Sequence, residues 1–387
     1  MNIRPIINLA LVVALSGLFS QTSEAFVPPP PRLDVASYIL YEPNSGTVLA
    51  EYDAERRLPI ASLTKIMTGY IVVDQAAQEE LDINALIPIS KKSAETIGSR
   101  TFLKAGSKIS IQDLLKGIVI QSGNDAAVAL AEHIGGSEDG FTDLMNSYTR
   151  ALNMSNTLYA NSTGLPSDRE QYSTALDQVV LSSALIKKYP EHYDLYKEKF
   201  FTFSDIKQRN RNGLLWLDTT VDGIKTGHTS EAGYCLVSSA KRKHIRLIAV
   251  VMGAASESER NTYSRRLLEY GFRHFTTKRI FEQNEVLIQP EVWGGTSARI
   301  KLGVTEALDA TLVRSDFELV DIQTHITEEL VAPIQSGDVM GMVEVRIKDE
   351  LYAEYPLVAL ERVRSRGFMG RVFAQISLFF NQLFGTK

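Results

Sequence analysis

Hydrophobic periodicity changes character once along this chain, near Lys278, and that change limits the folds open to it. Before that point, helical stripes and strand-like runs interleave. Apolar residues recur at Ile66, Tyr70 and Val73, and again at Leu114, Leu115, Ile118 and Val119, while near-continuous apolar runs fill 234–240 and 245–252. After it the pattern is alternation: Ala298, Ile300, Leu302 and Val304 against Arg299 and Lys301, then Val343, Val345 and Ile347 against Glu344 and Arg346. A period near 3.6 buries one face of a helix, and a period of two buries one face of a strand. The 387-residue chain therefore reads as a mixed α/β (α+β) domain over 26–278 and a small all-β domain over 279–360.

The two ends read differently from both domains. Residues 1–25 have the form of a secretory signal peptide: Arg4, an apolar run over 6–19, and small residues around Ser23 and Ala25. An uncleaved anchor is the competing reading, although the run is short for a span. Four prolines, 28–31, make an extended spacer. Over 361–387 a helical wheel puts Met369, Val372, Phe373, Ile376, Phe379, Phe380, Leu383 and Phe384 on one side, with Arg364, Arg371, Gln375 and Gln382 opposite. This suits an amphipathic helix lying on a membrane surface; packing on another protein is the alternative. Together the ends predict a periplasmic protein attached to the outer face of the cytoplasmic membrane.

Composition excludes some functions. The net charge of −5 gives no reason to expect nucleic acid. A single cysteine, Cys235, forbids an internal disulfide and reads as a small buried apolar residue. The six histidines are scattered without metal-ligand spacing, so no metal or cofactor is expected.

Three short motifs carry the chemistry. The first is Ser62-Leu63-Thr64-Lys65, in a run with no breaker between Pro59 and Gly69 that reads as a helix from about Ala61. Residues three apart on a helix share a face, so the Lys65 amine comes beside the Ser62 hydroxyl. A serine needs a base to become a nucleophile, and keeping a lysine neutral at pH 7 costs about 4.6 kcal/mol, which burial and a nearby cation must supply. The second is Ser122-Gly123-Asn124, which interrupts an otherwise helical stretch over 111–134 and puts Ser122 and Asn124 at a tip facing a cleft. The third is Lys225-Thr226-Gly227, on a strand beside the runs 234–240 and 245–252, where glycine permits close approach of another backbone or a ligand. Taken singly these are also what a helix start, a capped turn and a solvated strand end look like. The basic link 241–244 reads as a solvated turn.

In this order the three motifs resemble those of the penicillin-recognising serine acyltransferases. The resemblance is closest to the low-molecular-mass D-alanyl-D-alanine carboxypeptidases of the penicillin-binding protein 5/6 type. It extends from the leader to the tail and is densest at 61–65, 122–126, 211–216 and 221–229. It implies a β-lactamase/transpeptidase-like domain with a central antiparallel sheet flanked by helices, then a β sandwich. It implies that Ser62 attacks the bond between the last two D-alanines of a peptidoglycan stem peptide, with Lys65 as base and Ser122 relaying a proton to the leaving group. Asn124 would hold the substrate amide. Lys225 would add charge that keeps Lys65 neutral and, with Thr226 and Arg211, receive the terminal carboxylate. Gly227 would line the same edge, and the backbone N–H groups of Ser62 and His228 would stabilise the oxyanion. β-Lactam antibiotics would acylate Ser62. The stretch 161–172 is less family-like, which bears on deacylation. A D,D-endopeptidase, a non-catalytic penicillin-binding scaffold and a β-lactamase are the other readings; the last lacks the loop glutamate context at Glu170.

Overall fold

The computed structural model describes residues 27–327 and 329–367. The expected signal peptide, and the tail from 368 onward, lie outside the described residues.

The first domain is built on a five-stranded antiparallel sheet. Its spatial order is Thr47–Tyr52, Ser37–Glu42, Ile245–Ala254, Gly233–Arg242, Val221–Thr229. The central strands read as near-continuous apolar runs because both faces of the sheet are covered. Ile39, Val237 and Val250 face one core, while Leu40, Leu236 and Val251 face the other. The second core is closed by helix Glu257–His274 through Leu267, Leu268 and Phe272. The first holds the larger helical layer, including Thr64–Ala77, Asn124–Gly135 and Ala175–Lys188. Each large side chain so buried stabilises the fold by roughly 1.5–3 kcal/mol.

Helix Thr64–Ala77 sits at the centre of that layer. The stripe Ile66, Tyr70, Val73 predicts one apolar face, yet every residue from Thr64 to Asp74 is buried. A helix enclosed on all sides needs apolar residues all round, and Met67, Ile71 and Val72 supply them.

The interruption expected near 122 is a change of helix type. Helix Ile111–Lys116 widens into one turn of π-helix, Gly117–Gln121, and ends at Ser122 in the left-handed region (φ 64°). Such turns leave a helix interior locally off register and are common at functional sites.

The second domain is all β. A five-stranded sheet runs Val286–Ile288, Leu302–Gly303, Glu350–Ala359, Val339–Ile347, Val320–Ile326, beside the pair Phe275–Phe281 and Leu308–Val313. Val343 and Val345 point into its core with Ile300, Leu302 and Leu357, while Glu344 and Arg346 point out and pair at 3.0 Å. Ala298, counted in the alternation, is exposed because regular pairing has not begun there.

Three expected boundaries move. Strand Phe275–Phe281 runs across the boundary placed at 278. Residues 361–367 do not start a helix: Val363 and Ser365 form bridges to Ile334 and Gly295, so this part of the expected tail belongs to the β domain. The basic link is shorter than expected, because Lys241 and Arg242 are still in the strand. Arg242 is not simply solvated; it pairs with Asp218 at 2.7 Å and Glu269 at 2.5 Å.

The domains meet through polar side chains. Thr311 of the second domain hydrogen-bonds Ser45 (2.7 Å), in the turn of the first hairpin, and Thr277 (2.8 Å). Buried Glu42 accepts from the Ser45 N–H at 2.7 Å and the Ser45 hydroxyl at 2.9 Å, and from Thr311 at 3.3 Å.

Candidate active site

The Ser62 segment is wedged at the start of the central helix. A 3-10 turn, Ala61–Leu63, leads into Thr64–Ala77, and Ala61 takes a left-handed φ of 46°. Two glycines make room for it. A Cβ on Gly227 would come within 2.8 Å of the Ile60 carbonyl oxygen, and one on Gly164 within 1.8 Å of the Ala61 carbonyl oxygen. The strand on one side and the 161–166 loop on the other therefore touch the turn backbone directly, which only glycine allows.

Lys65 is 1 % exposed. Its amine lies 3.0 Å from the Ser62 hydroxyl, 2.7 Å from Asn124 Oδ1 and 2.6 Å from the Thr163 carbonyl oxygen. The Thr163 carbonyl is held in place by Asn161, whose Oδ1 accepts from the Thr163 N–H and hydroxyl and from the Gly164 N–H. This is how the stretch 161–172 enters the site. Glu170 in that stretch is exposed.

Asn124 is fixed at both ends. Its Nδ2 donates to the Ile97 carbonyl at 2.7 Å, which turns its oxygen to Lys65. It is thus a partner of the base. Its neighbour Asp125, which no motif marks, is fully buried and organises the segment. Its carboxylate accepts from the backbone N–H groups of Thr101 (2.8 Å), Phe102 (2.8 Å), Leu103 (3.1 Å) and Ala126 (2.9 Å). The only sequence signal was an acidic residue at a helix start. Gly123 completes the packing, since a Cβ there would fall 2.2 Å from the Thr101 hydroxyl.

Lys225 approaches from the outer strand of the sheet, Val221–Thr229. Its amine donates to the Ser122 hydroxyl and to the Thr226 carbonyl, each at 2.9 Å. Arg211 is exposed and donates from Nε to the Gln121 carbonyl at 2.9 Å. His228 is exposed, with its ring stacked on Tyr234 at 4.0 Å. Ser62, Ser122, Arg211, Thr226, Gly227 and His228 all line one cleft of about 1120 Å³. Lys65, Asn124 and Lys225 lie beneath that surface, bonded to the groups that line it. Among the described residues no group of His, Cys, Asp or Glu could hold a metal ion. Cys235 is buried, its thiol pushed up to about 11 mainly by burial.

The electrostatics favour a neutral base. Burial above all, and then the Arg211 guanidinium, bring the Lys65 amine down from 10.5 to about 7, with Asp125 opposing. Burial, and then repulsion from Lys65, Arg211 and Arg260, hold Lys225 well below its ordinary value. Burial and mutual repulsion thus both work against the two amines carrying protons together. Arg211 is the cation that lowers Lys65 most, and Lys225 and Lys65 repel each other as well. The arrangement can take a proton from one hydroxyl at near-neutral pH. It also offers a second hydroxyl, held by a second amine, to pass a proton onward.

The family model described as D-alanyl-D-alanine carboxypeptidase matches residues 24–256, and that described as penicillin-binding protein 5, C-terminal domain, matches 275–365. The chain is 39% identical over 374 residues to the D-alanyl-D-alanine carboxypeptidase DacC of Escherichia coli, covering 95% of this chain and 92% of that one. The fold is similar to penicillin-binding protein 5 of Haemophilus influenzae, with a TM-score of 0.82 and 36% identity, over 87% of this chain and 100% of that one. It is also similar to penicillin-binding protein D2 of Listeria monocytogenes in its cefotaxime-bound form, with a TM-score of 0.59 and 31% identity, over 63% and 100% of the two chains.

Proposed function

The chain belongs to the D-alanyl-D-alanine carboxypeptidase family, and we propose that it removes the terminal D-alanine from peptidoglycan pentapeptides through an ester on Ser62. The observation that carries this reading is the Lys65 amine, enclosed, 3.0 Å from the Ser62 hydroxyl and near neutrality in its proton affinity.

Lys65 takes the hydroxyl proton as Ser62 Oγ bonds to the carbonyl carbon. The oxygen that becomes anionic is met by the backbone N–H groups of Ser62 and His228. As the C–N bond breaks, the departing amine receives a proton by way of Ser122. Asn124 gives its amide to the substrate backbone at the expense of its bond to Lys65. The substrate's terminal carboxylate sits against Lys225, Thr226 and Arg211. That anion favours the charged form of Lys225, and the charge helps to keep Lys65 neutral when the base is needed. Water attacks the ester, its proton passing to the base, and the base returns that proton to Ser62 Oγ as the C–O bond breaks and the acid product leaves. A β-lactam follows the same first half and leaves an ester on Ser62 that water releases slowly.

The protein acts in the periplasm, exported by residues 1–25 and held on the outer face of the cytoplasmic membrane by the amphipathic segment beyond 367. The test is mass spectrometry of penicillin-treated protein together with D-alanine release from a pentapeptide. The adduct is expected on the peptide carrying Ser62 and is lost in Ser62→Ala. Covalent labelling retained in that variant overturns the assignment. Labelling of the wild-type protein without D-alanine release supports a scaffold instead.

A further inference from the structure

One rim of the cleft carries three cations from a single stretch of chain: Lys207, Arg209 and Arg211. They lie on strand Ile206–Arg209 and its continuation. A period of two exposes these three and buries Gln208 and Asn210 between them. The Arg209 guanidinium lies 3.9 Å over the Trp216 ring, and the Lys207 amine 4.3 Å over Phe200. Phe200 and Trp216 in turn pack edge to face, 6.1 Å between centroids. Aromatic faces orient such cations and leave their charge available.

That charge is not neutralised within the protein. None of the three cations forms an ion pair with a carboxylate among the described residues; Glu257, the acid lining the same cleft, is paired with Arg260. The concentration of positive charge is notable in a chain whose net charge is −5. The cleft, at about 1120 Å³, is also of a size that encloses a drug-like molecule rather than one amino acid.

We propose that Lys207 and Arg209, continuing the rim from Arg211, form an anion subsite on the leaving-group side of the cleft, taking a second carboxylate on a departing group larger than D-alanine. This rests on the reading above, in which Arg211 meets the terminal carboxylate. Alternate residues of a strand stand about 7 Å apart, so Arg209 begins where a side-chain carboxylate of an acidic D-amino acid, or a longer acidic leaving group, would reach. Trp216 gives that group an apolar floor.

The experiment compares peptides with one common acyl part, ending in D-Ala-D-Glu, D-Ala-D-Gln or D-Ala-D-Ala, on the full chain and on Lys207→Gln, Arg209→Gln and the double variant. D-Glu and D-Gln differ in charge and hardly in shape. The wild-type protein should release D-Glu roughly three- to tenfold more efficiently than D-Gln at low salt, mainly through KM. The preference should vanish in the double variant and in about 1 M salt, while D-Ala release and penicillin labelling stay unchanged. Equal handling of D-Glu and D-Gln by the wild type, or a preference that survives in the double variant, overturns the subsite. Competition against fluorescent penicillin reads the same ratio without turnover, so a protein that labels but releases nothing still decides the subsite. A protein that neither labels nor releases amino acid defeats the Ser62 reading itself.

Discussion

Acylation of Ser62 by a chromogenic β-lactam should rise with pH along one limb whose midpoint lies near 7. The Lys65 amine is brought from 10.5 to about 7, a displacement worth about 5 kcal/mol between its two protonation states. The lowered value makes the neutral, base-competent form available above about 7 and removes it as pH falls. With that midpoint the neutral fraction is about 9% at pH 6 and about 91% at pH 8, so the rate climbs about tenfold over that interval and then levels. A lysine left near its ordinary value would give about a hundredfold rise over the same interval and no plateau by pH 9. Rapid-mixing measurement of the acylation burst isolates this step from deacylation. Arg211→Gln supplies the internal check. Removing a cation that repels the ammonium lets Lys65 keep its proton to higher pH, so the limb should move up by roughly half a unit to one unit. The height of the plateau falls as well if Arg211 holds the ligand carboxylate, but the midpoint carries the argument. Because Lys225 titrates in the same enclosure, the midpoint belongs to the pair. An acylation rate that is flat from pH 5.5 to pH 9, or still climbing tenfold per unit at pH 9, refutes the reasoning.

Two further outcomes follow from the same contacts. Asp125→Asn puts an NH2 group against the backbone donors gathered on the carboxylate, losing about half of those charge-assisted bonds. The expected loss is about 3–5 kcal/mol, read from denaturant midpoints; a loss under about 1 kcal/mol contradicts the anchoring role. Removal of residues 368–387 should shift the protein from the membrane fraction to the soluble fraction with peptide hydrolysis intact. The cut belongs after Gly367, because Val363 and Ser365 are bridged into the β domain. A truncated chain that still sediments with membranes counts against the anchor.

Much of this was legible in residue order. The helix after Ser62, the strands around 234–252 and the switch to alternation all follow from periodicity, because each element buries a face with its own period. The motif residues could be named for the same reason that they could be doubted: each has an ordinary local role. Their convergence depends on contacts between residues tens of positions apart, such as Lys65 with Asn124 and Lys225 with Ser122. Periodicity carries no information about such pairs. The role of Asp125 is not legible in the sequence because most of its partners are backbone N–H groups of a loop more than twenty residues earlier, and a backbone donor leaves no mark there. The carbonyl of Thr163 was invisible for the same reason. The depth of Lys225 was equally hidden, because its burial depends on how the strand sits under the cleft.

The Glu42, Ser45, Thr277 and Thr311 cluster joins the first hairpin to the β domain through short bonds around a carboxylate shut away from water. Such a joint favours one arrangement of the two domains over a loose tether. If the segment beyond 367 lies on a membrane, that arrangement sets the altitude of the cleft above it, and lengthening or shortening the β domain would change that altitude without touching the chemistry.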